Sequence, residues 1–134
     1  MKTIALIEKG KDGTFGILTP DLQHTIIGEG NSVLEAKIDF ENSVKEMVAS
    51  YTELNKEIPA ELTKIQFEYK YDLASLFNQY DFINVSKFAH VAGINASLMR
   101  QYKSGSQYIS ENQLSKIEEA IHKIAREMAA IKLI

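Results

Sequence analysis

The spacing of apolar residues differs between two parts of this chain, which meet near residue 71. In the first part, three short apolar segments (3 to 9, 14 to 19 and 23 to 28) are separated by the turn-forming stretches KGKDG and TPD. A further segment alternates as a half-buried strand does, at Ile65, Phe67, Tyr69 and Tyr71. Beyond it, apolar residues recur every three or four positions, which is the spacing of α-helices. This change of period predicts an α+β chain with a sheet-forming first part and a helical second part.

A long helix is predicted between the third and fourth strands. Ser32 and Glu35 have the spacing of a capping box at its start. Six apolar residues then recur on one face, namely Ala36, Phe40, Val44, Met47, Val48 and Tyr51. Such a helix would run for about six turns before Ile58 and Pro59 interrupt it. The predicted order of residues 1 to 71 is therefore β-β-β-α-β, one sheet with a helix on one face.

The second part, residues 72 to 134, is predicted to be an all-α domain. DLASLFNQY is expected to form a short helix, and two short amphipathic helices follow it. Ser110 and Gln113 repeat the capping-box spacing at the start of a long last helix. We therefore expect two domains, residues 1–71 and 72–134, joined almost without a linker.

The segment VSKFAHVAGINASLMRQYKSG, residues 85 to 105, has the pattern of a helix-turn-helix. Gly93 can take the left-handed conformation that ends its first helix. Asn95 or Ser97 can cap the second helix, and Ala89 is small enough to let the two helices approach closely. An ordinary helical hairpin with a solvated polar face has the same spacing and is the structural alternative.

The side chains that remain outside on the second helix are of the kinds that read DNA. Arginine can pair with guanine and glutamine with adenine, so Arg100 and Gln101 are predicted to supply most of the sequence reading. Lys87 and Lys103 are predicted to contact phosphate. The full set of predicted DNA contacts is Lys87, Asn95, Ser97, Arg100, Gln101, Lys103 and Ser104. Tight binding would need two copies of the chain on an inverted-repeat operator.

Charge is distributed unevenly along the chain. The whole chain carries −3, yet residues 82 to 110 contain no acid and three basic residues, Lys87, Arg100 and Lys103. Residues 1 to 71 contain eight lysines and twelve acids, a balance of −4, and the remainder carries +1. Because DNA affinity rests largely on phosphate contacts, the acid-free segment marks the face expected to approach a duplex. The acidic first part suggests a different partner.

The chain resembles the HicB-type antitoxins of bacterial toxin–antitoxin pairs. The resemblance rests on the turn TPDL (19 to 22), a glycine at 28, NSVLEA at the start of the helix and KEIP before the last strand, in that order. Residues 72 to 134 resemble the Xre-like helix-turn-helix group. Members of the HicB family often follow the turn with Pro-Gly, whereas this chain has Gln23 and His24.

The resemblance implies a partial ribonuclease-H-like fold without catalytic activity in the first domain. That domain would bind and neutralise a small basic RNA-cleaving toxin, a HicA-like protein, and the second domain would repress the operon of the pair. Pro20, Asp21 and Leu22 are then expected to contact the toxin.

Two other functions fit the sequence. One is a stand-alone transcriptional regulator whose first domain serves dimerisation or ligand sensing. The other is a ribonuclease-H-type enzyme, which would need several converging carboxylates to hold two metal ions. Asp12 and Asp21 are better explained as turn formers, and the three histidines lie on different predicted elements without ligand spacing. We therefore expect no catalytic residue, no metal site and no cofactor.

The last helix carries an apolar seam that continues to its end. Leu114, Ile117, Ile121, Ile124, Met128 and Ile131 are spaced as in a coiled coil. The early members are expected to cover the helical core. Ile124, Met128, Ile131 and Leu133 are expected to contact a second copy, as a homodimer or tetramer, or to pack back on the first domain. The lack of cysteine, of a signal-peptide core and of a membrane-spanning run favours the cytoplasm.

Overall fold

A computed structural model describes residues 2–63 and 65–134. The α+β class is confirmed, because the described residues form five strands and five α-helices. In chain order these are β1 (Lys2–Lys9), β2 (Phe15–Leu18), β3 (Ile27–Gly30), α1 (Val33–Glu53), β4 (Gln66–Tyr71), α2 (Ala74–Gln79), α3 (Val85–Ala92), α4 (Ala96–Ser104), β5 (Ile109–Ser110) and α5 (Glu111–Ala129). The chain divides into two compact units, Met1–Lys70 and Tyr71–Ile134.

The first unit is a sheet with one long helix packed on it. Its strands lie in the order β3-β2-β1-β4, and β2 runs antiparallel to both β1 and β3, with Ile17 opposite Ile7 and Gly28. Phe40 of α1 is fully buried, and its ring meets that of Phe67 edge to face at 4.9 Å. Burial of one such aromatic side chain contributes about 1.5–3 kcal/mol to folding.

Two carboxylates at the start of α1 satisfy backbone amides. The Glu35 N–H donates to Ser32 Oγ at 3.1 Å, which confirms the predicted helix cap. The Glu35 carboxylate accepts from the Asn31 N–H at 2.8 Å, and the Asp39 carboxylate accepts from the Glu29 N–H at 2.8 Å. Glu29 lies in β3, which is at the edge of the sheet, so its N–H can bond to Asp39 where no neighbouring strand is present. These acids therefore have structural partners.

The third strand lies later in the chain than its sequence predicts. It was expected over 23 to 28, and β3 spans Ile27–Gly30. Thr19 is fully buried, and its Oγ1 accepts from the Ile26 N–H at 2.9 Å while its own N–H donates to the Ile26 carbonyl at 3.2 Å. This pair of bonds closes the intervening residues into a loop. Gly28 and Gly30 then lie in the strand, where α1 approaches the backbone closely.

The second unit packs its helices around one apolar core. Its fully or nearly buried members are Leu73, Phe77, Val85, Phe88, Ala89, Ala92, Ile94, Met99, Tyr102, Ile109, Ile117 and Ala120. The inward positions predicted for α3 and α4 are confirmed by this set, and Leu98 is half-buried beside it. Phe77 of α2 and Phe88 of α3 meet edge to face at 5.9 Å. This core fixes which face of α4 remains in solvent.

Two expectations for the second unit are wrong. The unit is not all-α, because Ile109 and Ser110 form the short strand β5 immediately before α5. The second capping box is also absent. Ser110 lies at the cap position but makes no side-chain cap bond, and the buried Oε1 of Gln113 has no hydrogen-bond partner among the described residues. Ser110 has extended backbone as part of β5, and Ile109 beside it is fully buried. The strand and the burial of Ile109 determine the backbone conformation at Ser110, and neither can be read from the apolar periodicity.

Candidate nucleic-acid interface

The connection between α3 and α4 is a tight glycine turn. Gly93 has φ +68°, the left-handed region that suits glycine. The Ile94 N–H donates to the Ala89 carbonyl at 3.0 Å and the Gly93 N–H to the His90 carbonyl at 3.2 Å. These two bonds form a Schellman motif, which pairs carbonyls that the end of α3 leaves open. Ala89, four residues before Gly93 in α3, was predicted to let the two helices approach closely, and it is fully buried.

Asn95 is the residue that caps α4. Its Oδ1 accepts from the Ser97 N–H at 2.8 Å and from the Leu98 N–H at 3.3 Å. Asn84 caps α3 in the same way through the Lys87 N–H at 3.0 Å. The side-chain oxygen of Asn95 is therefore occupied in the fold, and a predicted DNA contact from this residue would come from its amide nitrogen.

The structure places all seven predicted DNA contacts at the surface. Met99 and Tyr102 are buried, and burial raises the pKa of the Tyr102 phenol above its ordinary value. We call the exposed residues of α4 the α4 polar face, and they are Ser97, Arg100, Gln101, Lys103 and Ser104. The side chains of this face are exposed to solvent and do not pack in the core, so a ligand can reach them.

A cleft of about 530 Å³ opens between the start of α3 and one side of α4. It is lined by Ile83, Asn84, Val85, Ser86, Arg100, Lys103 and Ser104. Inside it the Arg100 guanidinium donates from Nη1 to the Ser86 Oγ at 3.3 Å. Ser97 and Gln101 of the α4 polar face are not among the lining residues. Ser86 could not be identified from its local pattern, because its contact with Arg100 depends on how α3 packs against α4.

In the first unit, the TPDL turn offers less to a partner than was expected. Pro20 and Asp21 are exposed, but Leu22 is 8% exposed and belongs to the core. Thr19 before them is fixed by its two bonds with Ile26. A partner can therefore reach Pro20 and Asp21, and a contact through Leu22 would require the turn to open.

A second cleft, of about 500 Å³, lies beside the β1–β2 hairpin and carries acidic side chains. It is lined by Glu8, Lys9, Gly10, Asp12, Thr14, Phe15, Gly16, Glu29, Gly30 and Asn31, which include three acids and one lysine. The Thr14 hydroxyl at 2.7 Å and its amide at 3.0 Å hold the pKa of Asp12 below its ordinary value. The cleft therefore presents negative charge at neutral pH.

The acids that an enzyme of the ribonuclease-H type would need do not converge. Across residues 2–63 and 65–134, the structure brings together no group of three or more His, Asp or Glu side chains able to hold a metal ion. Asp12, Glu35 and Asp39 each accept a hydrogen bond from a backbone amide. The three histidines, His24, His90 and His122, are exposed and lie in the loop before β3, in α3 and in α5.

The end of α5 exposes apolar side chains. Ile124 packs against the core of the second unit, whereas Met128 is 57%, Ile131 61% and Leu133 90% exposed. α5 ends at Ala129, so the last two of these lie beyond the helix. Of the helices in the described part of the chain, none combines the length and apolar character needed to cross a bilayer.

No protein-family model, curated protein sequence or solved structure matches this chain.

Proposed function

We propose that this protein is an antitoxin that represses its own operon by binding a specific DNA sequence and neutralises a small basic RNA-cleaving toxin of the HicA type. One observation carries the proposal. A left-handed glycine joins two short capped helices, the second of which exposes a polar face inside a segment without acids. These are the features of a helix-turn-helix reader, in which the second helix enters the major groove.

The chemistry of the α4 polar face supports duplex DNA as the ligand. Arg100 and Lys103 give the face a positive charge that favours a polyanion, and arginine, glutamine and serine side chains can all form hydrogen bonds with base edges. The nearest acids along the chain, Asp81 and Glu111, lie outside this segment. The buried residues of α4 attach this helix to the core of its unit, so the face is presented on a rigid support.

The first unit is suited to a basic partner. Its balance of −4 for residues 1 to 71, and the acidic cleft beside the β1–β2 hairpin, favour a positively charged protein. Exposed Pro20 and Asp21 provide a further contact. Because Asp12, Glu35 and Asp39 bond to backbone amides, we assign these acids to the fold and propose a binding function without catalysis.

Two copies of the chain are needed for tight operator binding. Three basic residues in the acid-free segment provide few phosphate contacts per copy. Met128, Ile131 and Leu133 are exposed and apolar, which supports pairing of two chains through the C-terminal region. The operator would then be an inverted repeat whose half-site centres lie about 10 base pairs, or a multiple of that distance, apart.

Selection of duplexes from a randomised pool tests the DNA-binding part of the proposal. The full chain should enrich an inverted repeat, and the Gln101→Glu variant, which places an acid on the α4 polar face, should lose that binding. Gln23→Glu makes the same substitution at an exposed site in the first unit and should not. If the parent protein enriches no sequence, it does not act as a sequence-specific repressor.

Coexpression with the reading frames adjacent to this one tests the antitoxin part. A small basic product that arrests growth alone, and that copurifies with the full chain and is silenced by it, is the expected result. If no neighbouring product binds the chain while the selected duplex is bound, the protein is a stand-alone regulator. In that case the first unit serves dimerisation or ligand sensing.

A further inference from the structure

We infer that Arg100 binds a phosphodiester of the DNA backbone in the cleft between α3 and α4 and that sequence reading is left to Gln101 and Ser97. This inference rests on the proposed DNA-binding function. It assigns Arg100 a different role from the one its residue type suggests, since arginine is the side chain that most often reads guanine.

The orientation of Arg100 is the first observation. Its Nη1 donates to Ser86 Oγ at 3.3 Å, so the guanidinium extends sideways from α4 toward α3. A side chain that reads a base must extend from the helix into the groove. Arg100 would have to give up this bond to do so. At a phosphate, by contrast, the serine hydroxyl and the guanidinium can both donate to the same group.

The composition of the cleft is the second observation. Arg100, Lys103 and Ser104 are spaced three and four residues apart, so they lie along one side of α4. Ser86 and Asn84 lie opposite them at the start of α3. Of the described residues that line the cleft, two are cationic, three have polar uncharged side chains and none is acidic. These side chains suit a single anionic group, such as a backbone phosphate, which is the same at every base pair and so carries no sequence information.

The two sides of α4 therefore have different chemistry. Ser97 and Gln101 are four residues apart and share a stripe of the helix that does not line the cleft. Their side chains are exposed, and no hydrogen bond from either side chain is found within the described chain. A duplex whose backbone lies in the cleft would place its base edges on the side of Gln101.

Salt-dependent binding separates the two roles. The full chain, Arg100→Ala, Arg100→Lys and Gln101→Ala are titrated with the duplex enriched from the random pool and with a scrambled duplex. Loss of a phosphate contact weakens binding to both duplexes by the same factor and lowers the salt slope by about one per bound copy. Arg100→Ala should behave in this way. Arg100→Lys should keep both slope and selectivity, because lysine also binds phosphate as a point charge.

Gln101→Ala should give the reverse result. Its salt slope should not change, and its preference for the enriched duplex should fall by about five- to 150-fold, the range expected for one good base contact. Arg126→Ala is the matched control, because Arg126 is the only other arginine in the chain and lies exposed on α5. It should retain more of the parent's affinity for both duplexes than Arg100→Ala does.

Two results would overturn the inference while leaving the proposed function intact. The first is a loss of selectivity in Arg100→Ala at constant slope, which would make Arg100 a base reader. In the second, Arg100→Ala binds like Arg126→Ala, so the cleft does not touch DNA. Replacement of chloride by phosphate at constant ionic strength should displace the duplex from the parent more than from Arg100→Ala, because the free ion competes for the same cleft, and this result would support the inference. If the parent selects no duplex, the proposed function fails and the inference with it.

Discussion

Gly28 is the position at which the packing of α1 on the sheet is most sensitive to one added methyl group. A Cβ on Gly28 would lie 2.5 Å from the Cβ and the backbone nitrogen of Phe40 and 2.6 Å from its Cα. Ordinary contacts of this kind are about 3.5–4.0 Å long, so α1 would have to move away from β3 by about 1 Å. The obstacle is helix backbone, which cannot turn aside as a side chain can.

We expect Gly28→Ala to destabilise the first unit by about 2–3 kcal/mol, the upper part of the range for overpacked cores. Phe40 and Ala36 have no exposed surface, so a shift of α1 would uncover both. Gly16→Ala is the matched control, because Gly16 lies on the adjacent strand and no described atom comes within 4 Å of its added Cβ. That variant should be neutral or more stable by up to about 1 kcal/mol, since alanine reduces the entropy of the unfolded chain.

Urea unfolding followed by circular dichroism gives the comparison. With a slope of about 1–3 kcal/mol per molar urea, Gly28→Ala should lower the midpoint by about 0.7–3 M. Amide hydrogen exchange should place the loss in β3 and α1, which the Glu29–Asp39 bond joins. If the two alanine variants unfold at the same midpoint, the close approach of α1 to β3 is not a feature of the folded protein and the reasoning is refuted.

Three further predictions concern the second unit. Gly93→Ala should lower stability by about 1–2 kcal/mol through its left-handed backbone alone, and Gly93→Asn by less; equal midpoints in urea for the two variants would contradict this. Deletion of residues 127 to 134 should separate paired copies in analytical ultracentrifugation and weaken operator binding, and an unchanged oligomeric state would disprove the role of the exposed tail. Burial, the charge of Glu111 and its hydrogen bond raise the pKa of Tyr71 from 10.0 to about 12. The protonated Tyr71 phenol should therefore contribute its full stabilisation of the fold below pH 10, and this contribution should disappear as the pH rises toward 12. A pH titration of tyrosine absorbance should show a late ionisation step that Tyr71→Phe removes.

Local signals in the sequence predicted local structure well. The cap formed by Ser32 and Glu35 was visible because its donors and acceptors lie within a few residues. The end of α3 at Gly93 and the start of α4 followed for the same reason, although the sequence left the cap of α4 open between Asn95 and Ser97, and the structure shows Asn95. The inward positions of these helices were also predictable, because helical spacing alone decides which side chains share a face.

Features that depend on distant residues could not be predicted in this way. The third strand begins later than its apolar pattern indicates because Thr19 bonds to Ile26 across a loop. Ser110 does not use its side chain as a cap, although the spacing to Gln113 is correct, because it is part of a short strand. The direction of Arg100 depends on Ser86, fourteen residues earlier, and no local pattern reveals that contact.

Most of the contacts that keep α4 folded lie outside its polar face, where only Arg100, bonded to Ser86, and Ser104, bonded to the Gln101 carbonyl and to Ser106, make side-chain hydrogen bonds within the described chain. A helix of nine residues is marginal in water by itself, yet α4 is fixed at its start by Asn95, at its end by a left-handed Gly105, and along its inner side by Met99 and Tyr102. None of these groups lies on the face that we assign to DNA, apart from the amide nitrogen of Asn95. The exposed residues of α4 can therefore be substituted to suit a different operator sequence without loss of the fold. A change in binding on substitution at Gln101 thus measures recognition and not the stability of the helix.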